Sequence, residues 1–226
     1  MEIRPNFYAG YSMNKNHNLY TDGTYMGLPV YQNRGPLVEE YLDRLWKVIQ
    51  NSLSDHRRVF AIRFDLHFPS WMDASAENMD NQFIVRFMES FKAKIRHNRF
   101  QASQARQYPH ACNPRFVWAR EVGDDTHRVH YHVVLFLNRD VFFTLGHLST
   151  RSANTYKRIV EAWSSALRLD GFDSVNLVHI PESPTYQLDM NLPEGIQRFF
   201  HRASYLCKAD TKYFGLGYHG FGASRN

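Results

Sequence analysis

The chain has 226 residues, which suits one ordinary domain, and 43% of them are hydrophobic, so a sizeable core can form and general disorder is excluded. Lysine and arginine number 27 against 22 aspartates and glutamates; the formal net charge of +5 is compatible with a nucleic-acid ligand. No apolar run approaches the roughly 20 residues that cross a bilayer, and the first residues lack a secretory pattern. The two cysteines, Cys112 and Cys207, cannot form a disulfide framework. We therefore expect a cytoplasmic protein with no membrane partner.

The first 35 residues show no hydrophobic period and are predicted to form an irregular arm. Beyond them, helical and strand-like spacings of apolar residues predict four helices and four strands, with polar or proline-containing loops between them. In chain order, these are a helix over 36–54, a strand over 59–68, a helix over 76–99, a loop over 101–114, strands over 115–121 and 130–138, a helix over 154–169 that Gly171 ends, a strand over 174–180, a loop over 181–193 and a helix over 194–210.

After the first helix, this order is strand, helix, strand, strand, helix, strand and helix. It predicts an α+β fold of the split βαβ (ferredoxin-like) type, with an antiparallel sheet and its helices on one face. We divide the chain into an N-terminal arm and helix over 1–56, a main domain over 57–210 and a tail rich in glycine and aromatic residues over 211–226.

The strand over 130–138 begins with two histidines on one face. His130 and His132 are two residues apart, so their side chains lie about 7 Å apart on the same side of the strand. The turn Gly-Asp-Asp returns this strand to the preceding one, whose last residue is Glu121. A His-x-His pair is expected by chance among 12 histidines, and a strand histidine can simply be hydrogen-bonded. Together with Glu121, however, the pair predicts a divalent metal site.

The last predicted helix has an apolar face and an opposite basic stripe when its residues are placed at 100° intervals. Tyr205 is an isolated aromatic residue in that stripe, and Lys208 follows it by one turn. A phenol with a pKa near 10 is a poor nucleophile at neutral pH, and neighbouring cations and a metal-polarised phosphate favour its attack. The alternative is a surface tyrosine that packs on neighbouring methylenes. Besides Lys208, the cations of the stripe are Arg198, Arg202 and Lys212, and these three are expected to contact nucleic acid.

These motifs, in this order, resemble those of the HUH endonucleases of rolling-circle replication. His130-Tyr131-His132 is similar to the metal motif of that superfamily, and Tyr205-Leu206-Cys207-Lys208 is similar to its Tyr-x-x-Lys motif. The segment Phe64-Asp65-Leu66-His67-Phe68-Pro69 resembles its short first motif.

The resemblance is closer still to the inovirus-type replication initiators of filamentous phages and prophages. It extends over about residues 57–225 and leaves the arm and first helix unexplained. The matching segments are the Trp-x-Arg-Glu strand from Trp118 to Glu121, the block from Tyr205 to Lys212, and the ending from Phe221 to Arg225, whose arginine is a further expected DNA contact.

The resemblance implies site-specific nicking of single-stranded or origin DNA. Glu121, His130 and His132 would hold Mg²⁺ or Mn²⁺, although such a ligand set also accepts Zn²⁺. Tyr205 would form a 5′-phosphotyrosine and free a 3′-OH for a host polymerase, the strands being rejoined later, and Lys208 would steady the charge. Because the chain has no phosphate-binding Gly-x-x-x-x-Gly-Lys motif, a host helicase would unwind the duplex.

Several alternatives remain open at this stage. A relaxase or transposase of the same chemistry would use an N-terminal tyrosine, and a non-catalytic nucleic-acid-binding regulator would use the aromatic residues for base stacking. His67 is a possible additional metal ligand, and the oligomeric state, monomer or dimer, is left open. A single-tyrosine mechanism is favoured because His201 and Ala209 occupy the positions one turn from Tyr205. Other tyrosines to consider are Tyr8, Tyr11, Tyr20, Tyr25, Tyr31, Tyr213 and Tyr218.

Overall fold

A computed structural model describes residues 16–105, 108–149, 151, 153–170, 174–210, 212 and 217–225. Short strands begin the described chain, and longer elements follow. The first group comprises β1 (Leu19–Tyr20), β2 (Thr24–Tyr25), β3 (Leu28–Pro29), β4 (Leu37–Val38) and α1 (Glu39–Asp55). The second comprises β5 (Arg58–His67), α2 (Gln82–Ala105), β6 (Arg115–Val122), β7 (Val129–Asn138), α3 (Thr155–Leu167), β8 (Val178–His179), β9 (Thr185–Asp189), α4 (Pro193–Ala203) and β10 (Phe221–Ala223).

The main sheet has the strand order β10-β6-β7-β5-β8, and β9 pairs with the same central strand, β5. Every strand pair in it is antiparallel. The predicted α+β class with an antiparallel sheet is therefore confirmed.

Helices cover both faces of this sheet, so the prediction that they lie on one face is wrong. The physical reason is visible in β5, whose residues from Val59 to Leu66 are all buried and therefore need cover on both sides. On one face Phe64 packs in a cluster with side chains of α2 and α3, including Trp163. On the other face Val59 packs in a second cluster with side chains of α1 and α4, including Phe200.

Several predicted boundaries also differ from the structure. The last helix ends at Ala203, and a 3-10 turn from Ser204 to Cys207 follows it. The predicted loop over 181–193 contains β9, whereas the predicted strand over 174–180 is a 3-10 turn followed by the two residues of β8. The helix predicted over 76–99 begins only at Gln82 and extends to Ala105, into the first part of the predicted loop over 101–114.

The end of α3 also has a different cause from the predicted one. Arg168, at the C-cap of α3, adopts a left-handed conformation with a φ of 58°. Gly171, which was predicted to end this helix, lies outside the described residues.

The C-terminal segment contributes an edge strand to the main sheet. Phe221, Gly222 and Ala223 pair with Ala119, Trp118 and Val117 of β6. A Cβ atom at Gly222 would lie 2.3 Å from ring atoms of Trp118, so the close approach of β10 to this indole requires glycine. Among the described residues, no helix has the length and apolar character needed to cross a bilayer.

Candidate functional site

The register of three adjacent strands collects polar side chains at one end of the sheet. Glu121 of β6 is paired with His130 of β7. On the other side of β7, Asp65 of β5 is paired with His132 and His67 with His130. Because strand side chains alternate between faces, all of them share the face of the sheet that α1 and α4 cover.

Glu121, His130 and His132 form the predicted metal group. Each offers one ligand atom, and these three atoms lie within 4.8 Å of one another. The Nε2 atom of His132 is 3.3 Å from Oε2 of Glu121. Two ligands about 2.1 Å from one cation, at an angle of roughly 100°, lie about 3.2 Å apart, so this spacing and donor chemistry fit a divalent metal ion.

Asp65 is a site residue that the sequence analysis did not assign. Its Oδ1 atom lies 2.6 Å from Nδ1 of His132, and Nη2 of Arg63 lies 3.6 Å from the same oxygen. Because a carboxylate at Nδ1 orients an imidazole, Asp65 directs Nε2 of His132 towards Glu121. Alternation along β5 puts Asp65 and His67 on one face; the missing information was the register that places Asp65 opposite His132.

Two lysines contact the carboxylate of Glu121. Nζ of Lys208 is 2.8 Å from Oε2, and Nζ of Lys212 is 3.2 Å from Oε1. The side chain of Lys212 is 0% exposed. Lys212 therefore does not lie on the exposed basic stripe where the sequence analysis put it, because the chain leaves helical geometry after Ala203.

Tyr205 lies in the 3-10 turn that follows α4, beside the metal group. Nζ of Lys208 is 2.6 Å from the Tyr205 hydroxyl, so one ammonium group contacts both the phenol and Glu121. The ring of Tyr205 is half-buried, and its centroid is 5.6 Å from that of His132. The guanidinium carbon of Arg63 lies 5.7 Å from the Tyr205 centroid, which adds a second cation near the phenol.

The pKa shifts follow from burial and from the close charges. Burial lowers the pKa of His130 to about 4, and the neighbouring His132 acts in the same direction, so the His130 imidazole is neutral at pH 7. Burial by itself raises the pKa of Glu121, but Lys212 and His132 outweigh it and hold that pKa well below its ordinary value. A neutral imidazole and an ionised carboxylate are the forms that bind metal ions.

The lysines and His132 respond differently to burial. Burial lowers the pKa of Lys212 although Glu121 opposes the shift. Burial also acts to lower the pKa of Lys208, but contact with Glu121 raises it overall. Burial disfavours protonation of His132 as well, and Glu121 and Asp65 nevertheless raise its pKa.

The other predicted residues differ in how near they lie to this group. Arg198 and Arg202 are exposed on α4, the helix that leads into the turn with Tyr205. Arg225 is exposed just beyond β10 at the other end of β6 from Glu121, where its carbonyl oxygen accepts a hydrogen bond from Arg115, so the structure does not bring it to the metal group. His67 is exposed, and its ring stacks on that of His130 with centroids 5.5 Å apart, but it is not one of the three clustered ligands.

The alternative tyrosines differ in their positions. Tyr25 is buried and donates a hydrogen bond to Asp43, and Tyr20 donates one to the carbonyl oxygen of Thr24. Tyr31 lies beside Tyr205, with ring centroids 5.3 Å apart. Tyr218 lies near the guanidinium of Arg120, 5.4 Å from its carbon. Tyr8, Tyr11 and Tyr213 lie outside the described residues.

Comparison with known proteins identifies relatives over almost the whole chain. The family model described as the YagK/YfjJ C-terminal domain matches residues 20–224. The uncharacterized protein YagK of Escherichia coli is 31% identical over 207 residues, which are 88% of this chain and 99% of YagK. The uncharacterized protein YfjJ of Escherichia coli is 33% identical over 205 residues, covering 84% of this chain and 96% of YfjJ. No solved structure matches the chain.

Proposed function

This chain belongs to the YagK/YfjJ C-terminal domain family, and from its site we propose that it is a metal-dependent endonuclease that nicks single-stranded DNA with Tyr205 as the nucleophile. Its biological role in this proposal is the initiation of rolling-circle replication of a phage or prophage in the bacterial cytoplasm. A host helicase and a host DNA polymerase are the partners that such a reaction requires.

The contact of Lys208 with both Tyr205 and Glu121 is the observation that supports this proposal most directly. It brings a nucleophile, a cation and a metal ligand within hydrogen-bonding distance, at 2.6 Å and 2.8 Å. A tyrosine that merely covered the surface would not need an ammonium group shared with a buried carboxylate.

The strand order is a second, independent support. Counted along the chain, β5 is the first of four strands and β8 is the fourth. They lie side by side as β6-β7-β5-β8, that is, in the order second, third, first, fourth, which is the order of the split βαβ plan. In this plan the His-x-His strand is central, and the preceding strand supplies the carboxylate beside it. We propose on this basis that the α+β fold is of the HUH endonuclease type.

The chemistry follows from the residues around the scissile phosphate. A divalent cation held by Glu121, His130 and His132 would supply charge that polarises this phosphate. The Tyr205 oxygen attacks phosphorus, a P–O bond to the phenol forms, and the bond from phosphorus to the 3′ oxygen breaks. The phenol loses its proton, the departing 3′ oxygen gains one, and Lys208 stabilises the negative charge on the phenolate. The phosphotyrosine retains the energy of the diester, so a later 3′-OH can reverse the step.

Arg198 and Arg202 fit the path of the DNA backbone. Both are exposed on α4, the helix that leads into the turn with Tyr205. Exposed guanidinium groups one turn apart bind successive phosphates of a strand without reading its sequence.

The test is covalent capture of DNA. The protein is incubated with Mn²⁺ and single-stranded oligonucleotides that tile both strands of its own replicon, and the products are separated on a denaturing gel. We expect an adduct with one origin strand, its loss in Tyr205→Phe with DNA binding retained, and its persistence in the control Tyr108→Phe, an exposed tyrosine in the loop before β6. We also expect His130→Ala, which removes a half-buried neutral ligand, to lose cleavage while its melting temperature changes little.

Two other outcomes would replace the proposal. An adduct that survives Tyr205→Phe and disappears in an N-terminal tyrosine variant would identify a relaxase or transposase mechanism. Binding without any adduct would identify a non-catalytic nucleic-acid-binding regulator. The pairing of both Glu121 oxygens with lysines is the observation that favours this second function, because it balances the carboxylate without a metal ion.

A further inference from the structure

Residues 31–37, the N-terminal strap, cross the turn that holds Tyr205. The backbone N–H of Tyr31 donates to Oγ of Ser204 at 2.8 Å. The N–H of Ala209 donates to the carbonyl oxygen of Pro36 at 3.0 Å, and Leu37 forms an antiparallel bridge with Lys208. The strap is therefore fastened to residues on both sides of the nucleophile.

The strap also brings an aromatic ring to the nucleophile. The ring of Tyr31 meets that of Tyr205 edge-on, with centroids 5.3 Å apart and an interplanar angle of 78°. It also lies 6.1 Å from the ring of His201, which is exposed at the end of α4. Tyr31 itself is half-buried, so part of its side chain remains open to a ligand.

The charges around these rings indicate what would bind there. Arg198 and Arg202 are exposed on the same helix as His201, within four residues of it. Aromatic rings beside cations that track a backbone are the usual composition of a surface for single-stranded nucleic acid. A protein partner that bound through apolar contacts would not require the two exposed arginines.

We infer that Tyr31 and His201 form a stacking site for the base next to the phosphate that Tyr205 attacks. The identity of that nucleotide rests on the proposed nicking function, whereas base stacking on these rings does not. The N-terminal strap then has two roles, since it positions the Tyr205 turn and supplies one wall of the DNA path.

The test separates contacts with bases from contacts with phosphates. Fluorescein-labelled oligothymidylate of about 20 nucleotides and an abasic deoxyribose-phosphate strand of equal length are titrated by anisotropy, with all variants carrying Tyr205→Phe to prevent covalent reaction. We expect Tyr31→Leu to weaken binding of the thymidylate about tenfold and of the abasic strand less than about twofold. Tyr31→Phe, which keeps the ring, should bind as the parent does, and so should the control Tyr108→Leu.

Equal weakening on both strands, or no weakening on either, would overturn the inference. Leucine preserves much of the apolar volume of Tyr31, and the melting temperature of each variant verifies that it folds. Should Tyr31→Leu fail to fold, the exposed His201 provides a second variant. His201→Ala must then weaken binding of the thymidylate, but not of the abasic strand, by several-fold. The adduct assay reports on Tyr205 separately. Base-dependent loss without an adduct would leave the stacking site standing and refute the nickase, and an adduct without base-dependent loss would do the reverse.

Discussion

The two faces of β7 are used for different purposes. Alternate residues Tyr131, Val133, Leu135 and Leu137 pack against the α2 and α3 side, where the Tyr131 hydroxyl donates to the carbonyl oxygen of Asp80 at 3.1 Å. The other face begins with His130 and His132 and continues with Val134 and Phe136 under α1 and α4. One strand thus supplies a packed core on one side and a polar site on the other. The core face stabilises the fold, and we expect the site face to cost stability unless its charges stay paired.

The cost of the site face arises from buried charge. Counted over the whole residue, Glu121 is 1% exposed, Lys208 3% and Lys212 6%, so three ionisable groups have lost most of their water. Their mutual attraction offsets this desolvation only while the set is complete. Breaking the set is therefore expected to differ in kind from removing a core side chain.

Truncating Trp163, the residue of α3 that packs beside Tyr131 on the core face of β7, should give the largest loss of stability. Trp163 is 0% exposed, and its Nε1 donates to the carbonyl oxygen of His67 at 2.8 Å. We expect Trp163→Ala to lower the free energy of unfolding by about 4 kcal/mol, measured by urea denaturation. The control Trp71→Ala, at a residue 72% exposed, should change it by less than about 0.5 kcal/mol. A loss below about 1 kcal/mol for Trp163→Ala would contradict the assignment of stability to this face.

Removing the charge of Glu121 should have the next largest effect. Glu121→Gln leaves the buried ammonium groups of Lys208 and Lys212 without their carboxylate, so we expect a loss of about 3 kcal/mol in urea denaturation. Mn²⁺ binding, measured by calorimetry, should disappear in the same variant.

A double-mutant cycle checks the cause of that loss. Adding Lys212→Met to Glu121→Gln should recover part of the stability, because one buried charge is removed with its partner. Lys212→Met alone should bind Mn²⁺ more tightly than the parent, since an ammonium group no longer competes for Oε1 of Glu121. Additive losses in the double variant would mean that the pairing contributes nothing.

Asp65 tests whether the orientation of His132 matters to the site. We expect Asp65→Asn to weaken Mn²⁺ binding about tenfold, because the amide holds Nδ1 of His132 less firmly and makes the imidazole a poorer ligand. Calorimetric titration with Mn²⁺ measures this change. Unchanged affinity would show that packing alone orients the ring.

The smallest effect is expected at an exposed ion pair. Arg58 and Asp140 form a salt bridge with side chains that are 49% and 28% exposed. Asp140→Asn should change the free energy of unfolding by less than about 0.5 kcal/mol, and by less still in high salt. A loss as large as that of Glu121→Gln would remove the distinction between buried and exposed charges.

The sequence was sufficient for the parts of the molecule that local periodicity determines. The bounds of β6 and β7 and the pairing of Glu121 with His130 follow from alternation and a turn. The position of Lys212 could not be obtained in this way, because placing residues at 100° intervals assumes that the helix continues to Lys212, whereas it ends at Ala203. Ser204 is buried where the helix gives way to the turn. Its hydroxyl donates to the carbonyl oxygen of His201 and accepts from the backbone N–H of Tyr31, and this second contact joins residues far apart in the sequence.

The strand β9 was missed although Tyr186 and Leu188 alternate with polar residues, because the prolines on either side indicated a loop.

The edge strand β10 has a consequence for self-association. Its three residues satisfy backbone groups of β6 that would otherwise form an open sheet margin, and Gly222 lets it lie flush against Trp118. A chain cut before Phe221, or one with a larger side chain at position 222, would leave a row of unsatisfied amides and carbonyls along a hydrophobic strand. Such a margin is a template for pairing with another copy, so we expect loss of a few terminal residues to make the chain prone to aggregation.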